Sequence, residues 1–128
     1  MTFGKLATLL AGLAIAAPAL AEPMRVEIQN ATSSPLAWVI AQTNGELAVG
    51  GTAGSDQSAT AAGFLVKRGE RIVCHGTASH TMISTATQTF PSCSLNVTAG
   101  AGASEVCLKE VTNSYATPCV VRIIVAGP

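Results

Sequence analysis

Charged residues are scarce in this chain, with 7 Lys and Arg set against 7 Asp and Glu in 128 residues. Neither sign prevails, so there is no basic footprint for nucleic acid and none for an anionic membrane surface. Histidine is scarcer still, with His75 and His80 alone, and Asp56 is the one aspartate. A hydrolytic triad needs a nucleophile, a base and an orienting carboxylate within hydrogen-bond reach. Asp56 lies in a loose Gly/Ser stretch, and no Gly-x-Ser-x-Gly elbow occurs. Glu46, Glu70, Glu105 and Glu110 are the candidates for paired glycosidase carboxylates, and no motif sets two of them together. No catalytic residue is assigned on this reading, and a small hydrolase ranks third, together with a metal-binding protein.

Close cysteine pairs are also missing. Cys74, Cys93, Cys107 and Cys119 are separated by 18, 13 and 11 residues, without the C-x-x-C spacing of zinc sites. Helix signals are nearly absent after residue 21, where no segment keeps a 3.6-residue apolar period over three turns. No later apolar stretch approaches membrane length.

The first 21 residues do carry a pattern. Lys5 precedes an apolar run over 6–17, then Pro18, then the small-x-small site Ala19-Leu20-Ala21. That order reads as a secretory signal cleaved after Ala21 rather than a buried N-terminal helix, since the run has no polar face. Glu22, not Cys, follows the cut, so no lipid anchor is expected. The expected organisation is a signal over 1–21 and one domain over 22–128, exported to the periplasm or the extracellular space. Without Lys5 the mature chain carries a formal charge of −1. Four cysteines in a small exported domain predict two disulfides. Neighbourhood in sequence favours Cys74 with Cys93 and Cys107 with Cys119, each closing a loop worth about 3 kcal/mol.

Period-two patterns fill the rest. Met24, Val26 and Ile28 alternate with polar residues, as a half-buried strand does. Residues 36–41 are apolar on both faces and carry Trp38, which suits a central strand. Thr43-Asn44-Gly45 reads as a turn, and 50–63 as a long Gly/Ser/Ala/Thr loop. Residues 64–67 and 71–74 read as extended pieces joined at Arg68-Gly69-Glu70, and 82–90 as a β-leaning run ended by Pro91. Further strands are expected at Cys93–Val97, at 106–111, and at 119–125, where Cys119, Val121, Ile123 and Val125 share a side. Seven to nine short strands without helices predict an all-β domain: a small β-sandwich of immunoglobulin-like or jelly-roll type, or a small β-barrel.

The most chemically loaded segment is 74–82. Its order of Cys74, His75, His80 and Met82 resembles the ligand loop of blue-copper proteins. That site needs a second histidine from a distant strand, which this chain lacks, and a free thiolate, for which Cys74 has three competing disulfide partners. A weaker copper or nickel contact through His75, His80 and Met82 ranks above the blue-copper site but is also unsupported, so neither metal nor cofactor is assigned. The bland reading is a strand end and a polar turn with exposed imidazoles. Lys67-Arg68-Gly69-Glu70-Arg71 reads as a solvated hairpin tip. Asn30-Ala31-Thr32 and Asn96-Val97-Thr98 fit the N-glycosylation pattern, which matters in a eukaryotic secretory pathway. The expectation is a non-enzymatic exported domain that binds or structurally recognises a protein or surface, with a secreted inhibitor, toxin or effector as the alternative. Its partner contacts are expected at Tyr115, in the 113–118 loop, and at the turn bearing His75 and His80.

Overall fold

A computed structural model describes residues 22–113 and 117–128. Within them the chain forms nine strands: β1 (Met24–Thr32), β2 (Leu36–Ile40), β3 (Thr43–Leu47), β4 (Thr52–Gln57), β5 (Ala61–Arg68), β6 (Arg71–Ser84), β7 (Thr89–Ala99), β8 (Val106–Thr112) and β9 (Cys119–Gly127). They build two sheets, ordered β4-β1-β9-β8 and β3-β2-β5-β6-β7. The sandwich expected from the pattern is what forms.

The core follows from alternation. Met24, Val26 and Ile28 on β1 are fully buried, as are Cys119, Val121, Ile123 and Val125 on β9. These strands pair in parallel, Met24 beside Cys119 through to Thr32 beside Gly127, so their apolar sets lie in phase on one face. The facing sheet contributes Leu36, Ile40, Phe64, Val66, Ala78 and Leu95. Burying these side chains between two layers is the main favourable term in folding.

Both disulfides cross that core, and their pairing corrects the expectation from sequence neighbourhood. Cys74 is bonded to Cys107 and Cys93 to Cys119, with Cα–Cα distances of 6.1 and 5.9 Å. The reason is register. Cys74 faces Ala99 across β6–β7 while Cys93 faces His80, which leaves the two half-cystines about 20 Å apart along one hairpin. Cys107 likewise faces Val125, remote from Cys119 on the same ladder. A disulfide needs Cα atoms within about 7 Å, and for these inward-facing cysteines the opposite sheet supplies that neighbour. The closed loops span 33 and 26 residues, for which chain entropy gives roughly 3–4 kcal/mol each.

Three further expectations change. The 50–63 segment is not one loop: it contains β4, which pairs with β1, and the start of β5. Backbone pairing holds this stretch where its side chains offer little to bury. Asn44-Gly45 lies inside β3, and the turn falls before that strand, at Ala41, whose φ is 53°. Gly45 faces Trp38, and a Cβ there would stand 3.1 Å from the indole nitrogen, so the glycine makes room for the tryptophan. Pro91 does not end a strand: it sits inside β7, at the sheet edge, where a missing donor costs no ladder bond.

Candidate functional site

β6 places His75 and His80 differently. Both are in a strand interior rather than a turn. They differ by an odd number of positions, so they point to opposite faces. His75 is exposed on the outer face of the five-stranded sheet. His80 is buried at 6% exposure, directly across from Cys93, with its backbone N–H donating to the Thr60 carbonyl at 3.0 Å. Its Nδ1 has no hydrogen-bond partner among the described residues. Tyr115 lies outside the described residues. The structure thus separates His75 from His80, and the exposed-imidazole reading holds for His75 alone.

Around His75 the sheet carries a shallow hollow of about 330 Å³, lined by Val39, Ala41, Gly63, Phe64, Leu65, His75 and Gly76. Its floor is set by register: Val39 faces Leu65 and Leu65 faces His75, one row across β2, β5 and β6. Gly76 is needed beneath it, because a Cβ there would overlap the Asn96 carbonyl and crowd the Phe64 ring. The hollow holds no Lys, Arg, Asp or Glu. The hydroxyl and amide groups of Thr77, Asn96, Ser79 and Ser94 continue the face along β6 and β7, with the Ser79 and Ser94 hydroxyls 2.8 Å apart. The double-sided apolar pattern over 36–41 was the sequence signal for this surface.

The opposite outer face, on the four-stranded sheet, is laced with charge. Asp56 on β4, Arg25 and Glu27 on β1, Arg122 on β9 and Glu110 on β8 form a chain of ion pairs with contacts of 2.8–3.3 Å. Burial pushes the Glu27 carboxyl up, but hydrogen bonds from Arg122 and Arg25 outweigh it and hold the group below the usual carboxylate range. A second cluster corrects the reading of 67–71 as a solvated tip. Arg71 forks onto both oxygens of Glu105 at 3.0 and 3.2 Å, and Arg68 Nε stands 3.0 Å from Oε2. The Glu105 side chain is fully covered by these guanidinium groups at the rim of the domain. Hydrogen bonding from Arg71 lowers its pKa against the cost of desolvation.

Polar side chains also close the fold. Asn30 is fully buried; its Nδ2 donates to the Ser34 and Leu47 carbonyls, and its Oδ1 accepts from Thr32 N–H and Oγ1. With both amide hydrogens committed, the first glycosylation motif is a structural element in the folded chain, whereas Asn96 is exposed. Asn113 pairs with the backbone of Cys93, accepting from its N–H at 2.7 Å and donating to its carbonyl at 3.3 Å, which covers part of the β7 edge. Nothing in sequence spacing announced the roles of Glu105 or Asn113, whose partners are distant in the chain or are backbone groups.

Among the described residues, no group of three or more His, Cys, Asp or Glu side chains is arranged to hold a metal. Comparison of the chain with protein-family models, curated proteins and solved structures gives no match.

Proposed function

We propose that this chain acts after export as a binding module, recognising a protein or surface through the outer face of its five-stranded sheet. The observation that carries this reading is the uncharged hollow around His75, displayed on a sheet that two cross-core disulfides hold in place. Recognition favours such a surface, since a preformed apolar depression with a few polar groups loses little entropy on contact. Export is supported by the N-terminal charge–apolar–small pattern and by the disulfides, which persist in oxidising compartments. The test is binding of purified protein to the outer surface of the cells that secrete it. Leu65→Glu and His75→Glu should each lower that binding at least tenfold while the melting temperature stays within a few degrees of wild type. Undiminished binding by both variants would overturn the proposal.

A further inference from the structure

The two disulfides differ in how well the fold seals them. Cys93 and Cys119 are both buried, at 6% and 0% exposure. β9 is an inner strand, between β1 and β8, and the Cys119 Sγ lies 3.5 Å from the Pro23 carbonyl oxygen. Asn113 bonds both backbone groups of Cys93, and the buried His80 faces that cysteine across the ladder. In the other bridge Cys74 is fully buried, but Cys107 is half-buried, the least covered of the four half-cystines.

The strand that carries Cys107 has little else to hold it. β8 is an edge strand that pairs with β9 alone, and six of its seven residues are exposed, Cys107 being the exception. It therefore adds almost no apolar side chain to the core, where most of the favourable folding energy lies. Its covalent and polar links to the facing sheet are three. They are the bridge to Cys74, the Lys109 ammonium donating to the Leu95 carbonyl at 3.2 Å, and Glu105, just ahead of the strand, on Arg68 and Arg71.

A disulfide is opened by a thiolate that can reach one of its sulfurs. Lys109 stands two residues beyond Cys107 on the same side of the strand, and Arg68 and Arg71 outnumber Glu105 on the other flank, so the approach is positive. Attack at Cys107 expels the Cys74 sulfur into the core, where a thiolate is poorly solvated and remains beside the mixed disulfide it has just left. It re-forms the bridge unless a second thiol on the reductant resolves the mixed disulfide first. A dithiol carries that second thiol, and a monothiol does not.

We propose that Cys74–Cys107 is a redox-sensitive bridge, opened through the Cys107 sulfur by a dithiol reductant, which loosens β8 while Cys93–Cys119 keeps the sandwich closed. One thiolate of the reductant bonds to Cys107 Sγ as the S–S bond breaks, and Cys74 Sγ leaves with the electron pair and takes a proton from water. The second thiol, losing its proton, bonds to the first reductant sulfur and expels Cys107 as a thiolate. The reductant departs as an internal disulfide, and its two electrons remain on the two cysteines. The test is incubation of the purified, oxidised protein with dithiothreitol in the absence of denaturant. Timed samples are quenched with excess N-ethylmaleimide in mildly acidic denaturant, and the cysteine peptides are read by mass spectrometry. Cys74 and Cys107 should become labelled at least about tenfold faster than Cys93 and Cys119. In the protein with that one bridge opened, amide hydrogen exchange over 106–112 should rise at least about tenfold while 24–28 keeps its protection. Equal rates for the two bridges, earlier reduction of Cys93–Cys119, or unchanged exchange in β8 after reduction would each overturn the proposal. So would opening at an equal rate by 2-mercaptoethanol at the same thiol concentration.

Discussion

The two outer faces of this sandwich use their polar groups in opposite ways. On the four-stranded sheet, Asp56, Arg25, Glu27, Arg122 and Glu110 satisfy one another across all four strands. On the five-stranded sheet, the row through Val39, Leu65 and His75 leaves a hollow without ionic groups. A paired, hydrated charge network is costly to strip of water, so the first face resists being covered. An uncharged, half-apolar face loses little when covered. The contrast is one of placement: five charges pair across one outer face, while those of the other sheet, Glu46, Lys67, Arg68 and Arg71, gather near its ends and leave the hollow uncharged.

The largest test of that contrast concerns what keeps the two faces in fixed relation. Replacing Cys93 and Cys119 together by Ala should cost about 3 kcal/mol of unfolding free energy by chain entropy. A drop below about 1 kcal/mol in urea titrations would mean that the sheets are held by packing alone. Asn30→Ala comes next. It removes two donors to the Ser34 and Leu47 carbonyls and the acceptor for Thr32, leaving buried groups unpaired at a cost of about 2–3 kcal/mol.

Glu105→Gln should cost about 1–3 kcal/mol at neutral pH, as expected when one partner of a covered charge cluster is removed at the rim of a domain. Its pH dependence can be signed. The folded-state pKa values of Glu105 and Glu27 both lie below the ordinary 4.5. The unfolded chain therefore binds more protons in that window, and stability rises with pH through it. The contribution is complete above about pH 4.5 and is lost as pH falls through the depressed values. Denaturation midpoints measured from pH 2 to pH 7 should show this slope in wild type and a shallower one in Glu105→Gln.

The smallest effects separate the two faces most sharply. Glu110→Ala breaks an exposed pair with Arg122 and should cost under about 1 kcal/mol, less in high salt. His75→Ala, on the uncharged face, should change stability by no more than about 0.5 kcal/mol at neutral pH, with no salt dependence. A salt-sensitive His75→Ala variant would show that this face shares the electrostatics of the other.

Alternation was legible where one face of a strand is buried and the other wet. Met24, Val26 and Ile28, and Cys119 through Val125, announce their inward sides by period two alone, because a pleated strand turns successive side chains to opposite faces. The Arg68-Gly69-Glu70 step between two extended pieces marked the β5–β6 hairpin. Alternation was less informative elsewhere. It failed where strands hold little apolar surface: β4 is a strand by backbone pairing to β1, and its composition of Thr, Ala, Gly, Ser and Asp reads as a loop. Cysteine number predicted two disulfides, since an even count in a small exported domain is a local, compositional property. Their partners, and the separation of His75 from His80, depended on strand register and on which sheet each strand joins. Those are long-range facts, fixed by how nine strands share one core, and no spacing along the chain encodes them. The Glu105 clamp and the hollow around His75 are of the same kind, because each gathers residues from strands that the chain visits far apart.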